Sequence, residues 1–158
     1  MAKGFTIKVT PDPQKVRIDL LNFNTKELED IHFRLVQGAN KIRSHMIRGM
    51  QNTPKSGLKY RRGGKWHIAS SPGNPPAIDS GELIRSLVMD KGLDFVEVGS
   101  KSGAPHAVFL EGGTGITSSR SGGTAANILA RPFMAPAAND ILPTIQKNIR
   151  DDLEGKLK

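Results

Sequence analysis

Four histidines and no cysteine limit the reactive groups of this chain. Any metal or nucleophilic chemistry must be assembled from His32, His45, His67 and His106 with carboxylates or hydroxyls. None of the four stands at a metal-ligand spacing from another histidine or from a nearby carboxylate, and no Gly-x-Ser-x-Gly elbow presents a serine nucleophile. The run Ser118-Ser119-Arg120-Ser121-Gly122-Gly123-Thr124 is rich in glycine but lacks the Gly-Lys-Ser/Thr ending of a phosphate loop. The sequence therefore predicts no catalytic residues, no metal and no cofactor. The chemistry it does offer is electrostatic binding.

That chemistry is concentrated. The chain has 23 Lys and Arg against 15 Asp and Glu, a net charge of +8. No acidic residue occurs from position 31 to 78, while Arg34, Lys41, Arg43, Arg48, Lys55, Lys59, Arg61, Arg62 and Lys65 all fall there. Outside that segment 14 basic residues face 15 acidic ones, so the excess belongs to one stretch. Such a stretch suits an anionic partner, either nucleic acid or an acidic protein surface. Its densest part is Arg61-Arg62-Gly63-Gly64-Lys65, with Leu58 and Tyr60 before it and Trp66 and Ile68 after it. Glycines that accept positive φ make this a basic hairpin over about 56–70 with aromatic residues on its arms. A solvated basic face is one reading. The acid-free run and the neighbouring aromatics favour contact through Lys59, Arg61, Arg62 and Lys65.

The second candidate site is a connection without apolar periodicity, about 112–130, in which Gly113, Thr114, Gly115 and Arg120 are the candidate contact residues. Connections of that length inside a small domain are uncommon and are usually functional or disordered. Ala107 to Glu111 reads as a short strand leading into it. Arg131-Pro132-Phe133 leads out, with a helix starting near Pro136. Arg131 precedes proline and is held extended, so it either pairs with Glu111 at the other foot of the loop or stays solvated.

These pieces need a frame of about 158 residues, enough for one domain with an ordinary core. Phe5, Ile7 and Val9 alternate with polar residues, predicting a strand ended by Pro11 and Pro13; Val16, Ile18 and Leu20 predict a second. Asn24 is the expected N-cap of a helix whose face is Leu28, Ile31, Leu35, Ala39, Ile42, Met46 and Met50, ending by Gly49 and Pro54. Ser71-Pro72-Gly73-Asn74-Pro75-Pro76 forms a stiff link. Asp79 is expected to cap a short helix, with Gly81 permitting close packing and Leu83, Ile84 and Leu87 facing inward. Strands follow near 87–90 and 95–99, the segment 107–111 being the third of that group. The closing helix buries Ala138, Ile141 or Leu142, Ile145, Ile149 and Leu153, with Pro143 kinking or restarting it. The fold class is α+β: a small, mainly antiparallel sheet with the long helix and the C-terminal helix on one face. Without a signal-peptide pattern or an apolar stretch of spanning length, the chain is expected to be soluble, made in a cytoplasm and free of membrane partners.

Four blocks then carry a resemblance. Ala69-Ser70-Ser71-Pro72-Gly73-Asn74-Pro75-Pro76-Ala77 runs into Asp79-Ser80-Gly81-Glu82-Leu83-Ile84-Arg85-Ser86. Pro105-His106-Ala107, then Glu111-Gly112-Gly113-Thr114, then Ala130-Arg131-Pro132-Phe133-Met134-Ala135-Pro136-Ala137 follow in order. Together they resemble the neck proteins of long-tailed bacteriophages, also called head–tail joining, tail-completion or minor tail-component proteins. The resemblance covers about residues 56–138, with Ser80 where threonine is common and Gly112 where a bulkier residue often stands. It implies a non-enzymatic virion subunit, assembled in the host cytoplasm into a homo-oligomeric ring of six- or twelve-fold symmetry. Its partners would be the head connector or adaptor, the tail terminator or tail tube, and the DNA in the channel. The alternative from another class is a free-standing basic nucleic-acid-binding protein.

Because no apolar residue ties its middle down, the segment from Gly113 to Leu129 is expected to exchange amide hydrogens fast in the free subunit and slowly in the assembled particle. Strong protection in the monomer would contradict this.

Overall fold

The computed structural model describes residues 6–12, 15–21, 25–101, 106–114 and 128–156. Their elements are β1 (Thr6–Asp12), β2 (Lys15–Leu21), α1 (Thr25–Asn52), β3 (Lys59–Arg62), β4 (Lys65–Ile68), α2 (Glu82–Ser86), β5 (Leu87–Lys91), β6 (Phe95–Ser100), α3 (His106–Gly112) and α4 (Met134–Lys156). Four strands form one antiparallel sheet in the order β1-β2-β6-β5, and β3 and β4 form a separate hairpin. The architecture is α+β, with α1 and α4 laid on one face of the sheet.

Alternation along β2 and β6 explains which face they cover. Val16 and Ile18 on β2 and Val96 and Val98 on β6 point into the core with 2% exposure or less. Between them Arg17 sits opposite Glu97 on the other face, and its Nη1 lies 2.9 Å from the Glu97 carboxylate. Lys15 reaches the same carboxylate at 3.2 Å, and the Arg17 guanidinium lies over the Phe95 ring at 4.1 Å. β1 continues through Pro11 to Asp12 rather than stopping at Pro11. It is an edge strand, where proline's missing N–H need not break a ladder.

The heptad-like stripe of α1 is buried as its spacing requires: Ile31, Leu35, Ala39, Ile42, Met46 and Met50 are all at 4% exposure or less. The expected cap Asn24 and the side chain of Leu28 lie outside the described residues. On α4 the inward residues are Ala137, Ala138, Leu142, Ile145 and Ile149, with Ile141 partly buried; the side chain of Leu153 is not among those described. Pro143 neither ends nor restarts α4, which is continuous from Met134 to Lys156. The carbonyl that loses its partner there belongs to Asn139, which is exposed to water. Arg34 on α1 and Asp152 on α4 meet at 2.7 Å, so the end of α4 lies beside the first half of α1.

The segment 107–111 corrects the sequence reading. It belongs to the helix α3, not to a third strand. Four apolar residues in a row cannot distinguish the two periods. The burial pattern does, since Ala107 is buried, Leu110 packs against the core and Phe109 is 46% exposed.

The helices α1 and α4 approach closely at Gly38. A Cβ there would lie 2.4 Å from Ile145 Cδ1 and 2.6 Å from its Cγ1. Gly38→Val is therefore expected to destabilise the protein by about 1–3 kcal/mol through overpacking. Gly49→Ala on the same helix would meet only Pro75, at 3.7 Å, and should be neutral or stabilising by up to ~1 kcal/mol. Urea denaturation of both variants checks the contrast in sign.

Candidate functional site

The sequence blocks that stand far apart in the chain meet at the start of α4. Glu111, the penultimate residue of α3, places Oε2 at 2.9 Å from the Phe133 amide and 3.0 Å from the Met134 amide. Its Oε1 accepts from the Ala135 amide at 2.9 Å. The next residue, Pro136, has no N–H to satisfy. One carboxylate thus accepts from the amides that open the helix, which have no partner within it, and its negative charge sits at the positive end of the helix dipole. Of the two alternatives for Arg131, pairing with Glu111 or staying solvated, neither holds: the acid caps α4. Arg131 instead donates from Nε to the Ser70 carbonyl at 3.0 Å and from Nη1 to the Leu129 carbonyl at 3.1 Å. Three aligned amides satisfy a carboxylate as fully as a guanidinium does, and the extended Arg131 is left to span to the neighbouring strand-like segment.

Further bonds knit the same place. The Arg131 amide donates to Leu110, and the Gly73 amide donates to Ala130 at 2.9 Å. Thr114 and Ile128 close the base of the long connection through Thr114 N to Ile128 O at 3.0 Å and Ile128 N to Thr114 Oγ1 at 2.9 Å. Gly113 has φ 72°, and a Cβ there would fall 2.9 Å from the Ile128 carbonyl oxygen. Glycine is therefore required at that foot. Gly115 and Arg120, with the rest of 115–127, lie outside the described residues.

The hairpin is present as expected, and both Gly63 and Gly64 take positive φ, 54° and 79°, the requirement of a two-residue type I′ turn. Its register divides the basic set. Tyr60 pairs with His67 and Arg62 with Lys65, which puts these four on one face; Arg61 pairs with Trp66 and Lys59 with Ile68, on the other. The first face leans on the body. His67 Nδ1 and Asp79 Oδ1 are 2.5 Å apart, the Tyr60 hydroxyl donates to Asp79 Oδ2 at 3.4 Å, and Tyr60 stacks on His67. Arg62 lies 4.0 Å from Asp79 and 3.7 Å from Glu82. The acid-free segment is therefore opposed in space by carboxylates that follow it in sequence, and Arg62 is not a free cation. Lys59, Arg61 and Trp66 stand on the second face, with Lys59 Nζ 5.0 Å from the Trp66 ring centre and the indole 63% exposed.

Asp79 is accordingly a tether for the hairpin and not a helix cap. The residue before α2 is Gly81 in the left-handed region, φ 74°, without a side-chain cap; the Glu82 amide lies 3.4 Å from Ser80 Oγ. That φ is the reason for glycine at position 81. Leu83 and Ile84 are half-buried against the core, and Leu87 is buried as the first residue of β5.

Between the hairpin, the 72–84 segment, α3 and the foot of the loop lies a cleft of about 560 Å³. Its walls are mainly apolar, with Leu58, Tyr60, Ile78, Phe109, Leu110 and Leu129 among them. Arg62, Asp79, Glu82 and Arg131 supply its polar edge. Ser70 lines it too; its Oγ is buried and without a hydrogen-bond partner among the described residues. The sequence reading missed this cleft entirely. Its only signal was Leu58 just before, and Ile68 at the end of, a short strand pair too small to bury them. Among the described residues no group of histidine and acidic side chains could hold a metal ion, and no helix is long and apolar enough to cross a membrane. No family model, curated protein or solved structure matches this chain.

Two measurements follow. Glu111→Ala removes the side chain that caps the first amides of α4 and should cost about 1–2 kcal/mol, as lost helix caps do; Glu111→Gln keeps one acceptor oxygen and should cost less. Urea denaturation reads both, and an unchanged Glu111→Ala midpoint would contradict the cap. The chain's single tyrosine, Tyr60, is held above its ordinary pKa of 10.0, first by burial and then by the charge and hydrogen bond of Asp79. Above pH 10 the folded state thus keeps a proton that the unfolded chain releases, so this contribution to stability is lost as pH rises through the folded-state pKa. Asp79→Asn should lower the tyrosinate absorbance midpoint without removing the burial effect.

Proposed function

We propose that the chain is a structural, non-enzymatic virion protein, a head–tail joining (neck or tail-completion) subunit that forms a ring around the DNA channel of a long-tailed phage. The observation that carries the reading is the convergence of the resembling blocks: 69–77, 111–114 and 130–137 are separate in sequence yet bond to one another through Glu111, Arg131 and Gly73. Residues that recur in a motif because they build one junction are expected to touch. That junction holds the two feet of the 115–127 connection beside each other and sets the hairpin next to it, which gives a ring subunit two adjacent contact elements.

The hairpin's outward face, Lys59, Arg61 and Trp66, is the surface for an anionic partner. An acidic rim on the head connector suits it better than channel DNA, because a wall that gripped DNA would impede ejection. The same face supports the second reading, a basic nucleic-acid-binding protein, since an exposed indole beside two cations can stack on a base. Salt separates the two. The second reading requires the isolated chain to bind duplex or single-stranded DNA with an affinity that falls steeply with salt.

Virion assembly with chains altered in one element at a time tests the proposal. Deletion of 115–124 should leave circular dichroism unchanged and give heads and tails that fail to join by electron microscopy. Lys59→Gln with Arg61→Gln should leave folding intact, as exposed substitutions usually do, and weaken docking to tail-less heads. Normal infectious particles from the deletion, with normal docking of the double variant, would overturn the reading.

A further inference from the structure

One cation in the cleft wall stands without an acid. Arg131 is half-buried there, and its partners among the described residues are two backbone carbonyls, Ser70 at 3.0 Å from Nε and Leu129 at 3.1 Å from Nη1. Two of the guanidinium's five N–H donors are thus used and three are left. The acids nearby are already engaged. Glu111 accepts from the amides that open α4. Asp79 meets His67, Tyr60 and Arg62, and Glu82 meets Arg62. The segment 115–127, which joins the cleft wall at Ile128, contains no acidic residue and so brings no carboxylate of its own. A charge taken partly out of water without a counter-charge is costly. Arg131 is also held in place before any partner arrives, since its amide donates to the Leu110 carbonyl and the next residues open α4 under the Glu111 cap. A fixed planar fork of N–H donors is the arrangement that takes a carboxylate through two parallel bonds.

The walls around that fork are apolar and partly in water. Leu58, Ile68, Phe109 and Leu129 line the cleft yet remain 79%, 43%, 46% and 51% exposed. Apolar surface therefore runs from Ile78 and Leu110, which pack against the core, out onto the rim. A small ligand would fill the space of about 560 Å³ and leave the rim in water. A chain laid along the cleft covers both, and exposed apolar surface gathered in one place marks contact of that kind. We propose that the cleft receives an extended segment of a partner protein, in which an acidic side chain held by Arg131 is flanked by apolar residues that cover Leu58, Ile68, Phe109 and Leu129. The inference goes beyond the joining reading and does not need it. The hairpin's outer face, with Lys59, Arg61 and Trp66, is a separate surface.

Nuclear magnetic resonance of the intact chain tests this with two peptide mixtures. In the first, acetylated and amidated pentapeptides carry glutamate at the centre and Leu, Ile, Val, Phe or Met on either side. In the second, glutamine replaces the glutamate. The first mixture should shift the amide signals of Phe109, Leu110, Leu129 and Arg131. The second should bind about tenfold more weakly, having lost a charge-assisted pair of bonds. Because only the ligand changes, folding does not enter the comparison. Phe109→Ser, at an exposed position, should weaken both mixtures alike. Arg131→Gln, checked for folding by circular dichroism, should erase the difference between them; should that variant not fold, the comparison on the unaltered chain decides alone. Equal binding of the two mixtures, or none by either, would overturn the proposal. So would shifts confined to Lys59, Arg61 and Trp66, which would place the anion on the hairpin's outer face. Hexanoate binding as tightly as the peptides would make the cleft a small-molecule site, and binding seen only after deletion of 115–124 would give it to the chain itself; either result ends the idea.

Discussion

The structure depends on one carboxylate at the head of one helix. Helix α4 and the residue before it supply a large part of the core, through Phe133, Met134, Ala137, Ala138, Ile145 and Ile149, and the helix start is buried at Phe133 and Met134. A helix start in that position cannot leave its amides to water, and an unpaired buried amide costs free energy comparable to a lost hydrogen bond. Glu111 meets the demand from another element, accepting from Phe133, Met134 and Ala135 while Pro136 removes the next donor. Because the cap comes from α3, the placement of α3, the foot of the connection at Gly113 and Thr114, and the direction of α4 are fixed together. The Arg131 bond to the Ser70 carbonyl then adds the 69–77 segment to the same junction.

Charge placement follows from register. A two-residue turn at Gly63-Gly64 sets Arg62 and Lys65 on one side of the hairpin and Arg61 and Lys59 on the other. The inner side is held to the body by a polar clasp, Asp79 with His67, Tyr60 and Arg62. Exposed ion pairs of this type contribute little each, so the hairpin is an arm steered by several weak contacts over an apolar cleft. Its outer side leaves Lys59, Arg61 and Trp66 exposed.

Much of the scaffold was legible because it obeys period. The stripe from Ile31 to Met50, the alternation Val16–Ile18, the strand near 95–99 and the Gly-Gly turn each follow from local rules, and each is found where expected. What failed was decided by distant residues. The segment 107–111 was too short for period to choose helix over strand, and Ala107 packing against the core chose it. Asp79 reads as a cap from its local sequence, but Gly81 turns the chain left-handed and hands the carboxylate to the hairpin. Glu111 and Arg131 invite an ion pair by charge alone; the unsatisfied amides of α4 compete for the acid and win. The cleft left almost no signal in the sequence, because it exists only where four separated segments enclose space.

Mass measurement of the chain, alone and mixed with tail-less phage heads, tests the central claim that this fold is a joining subunit most directly. The account predicts a closed oligomer of defined copy number associated with the heads. A monomer that ignores heads and instead binds naked duplex DNA, tightly at low salt and weakly at high salt, would contradict it.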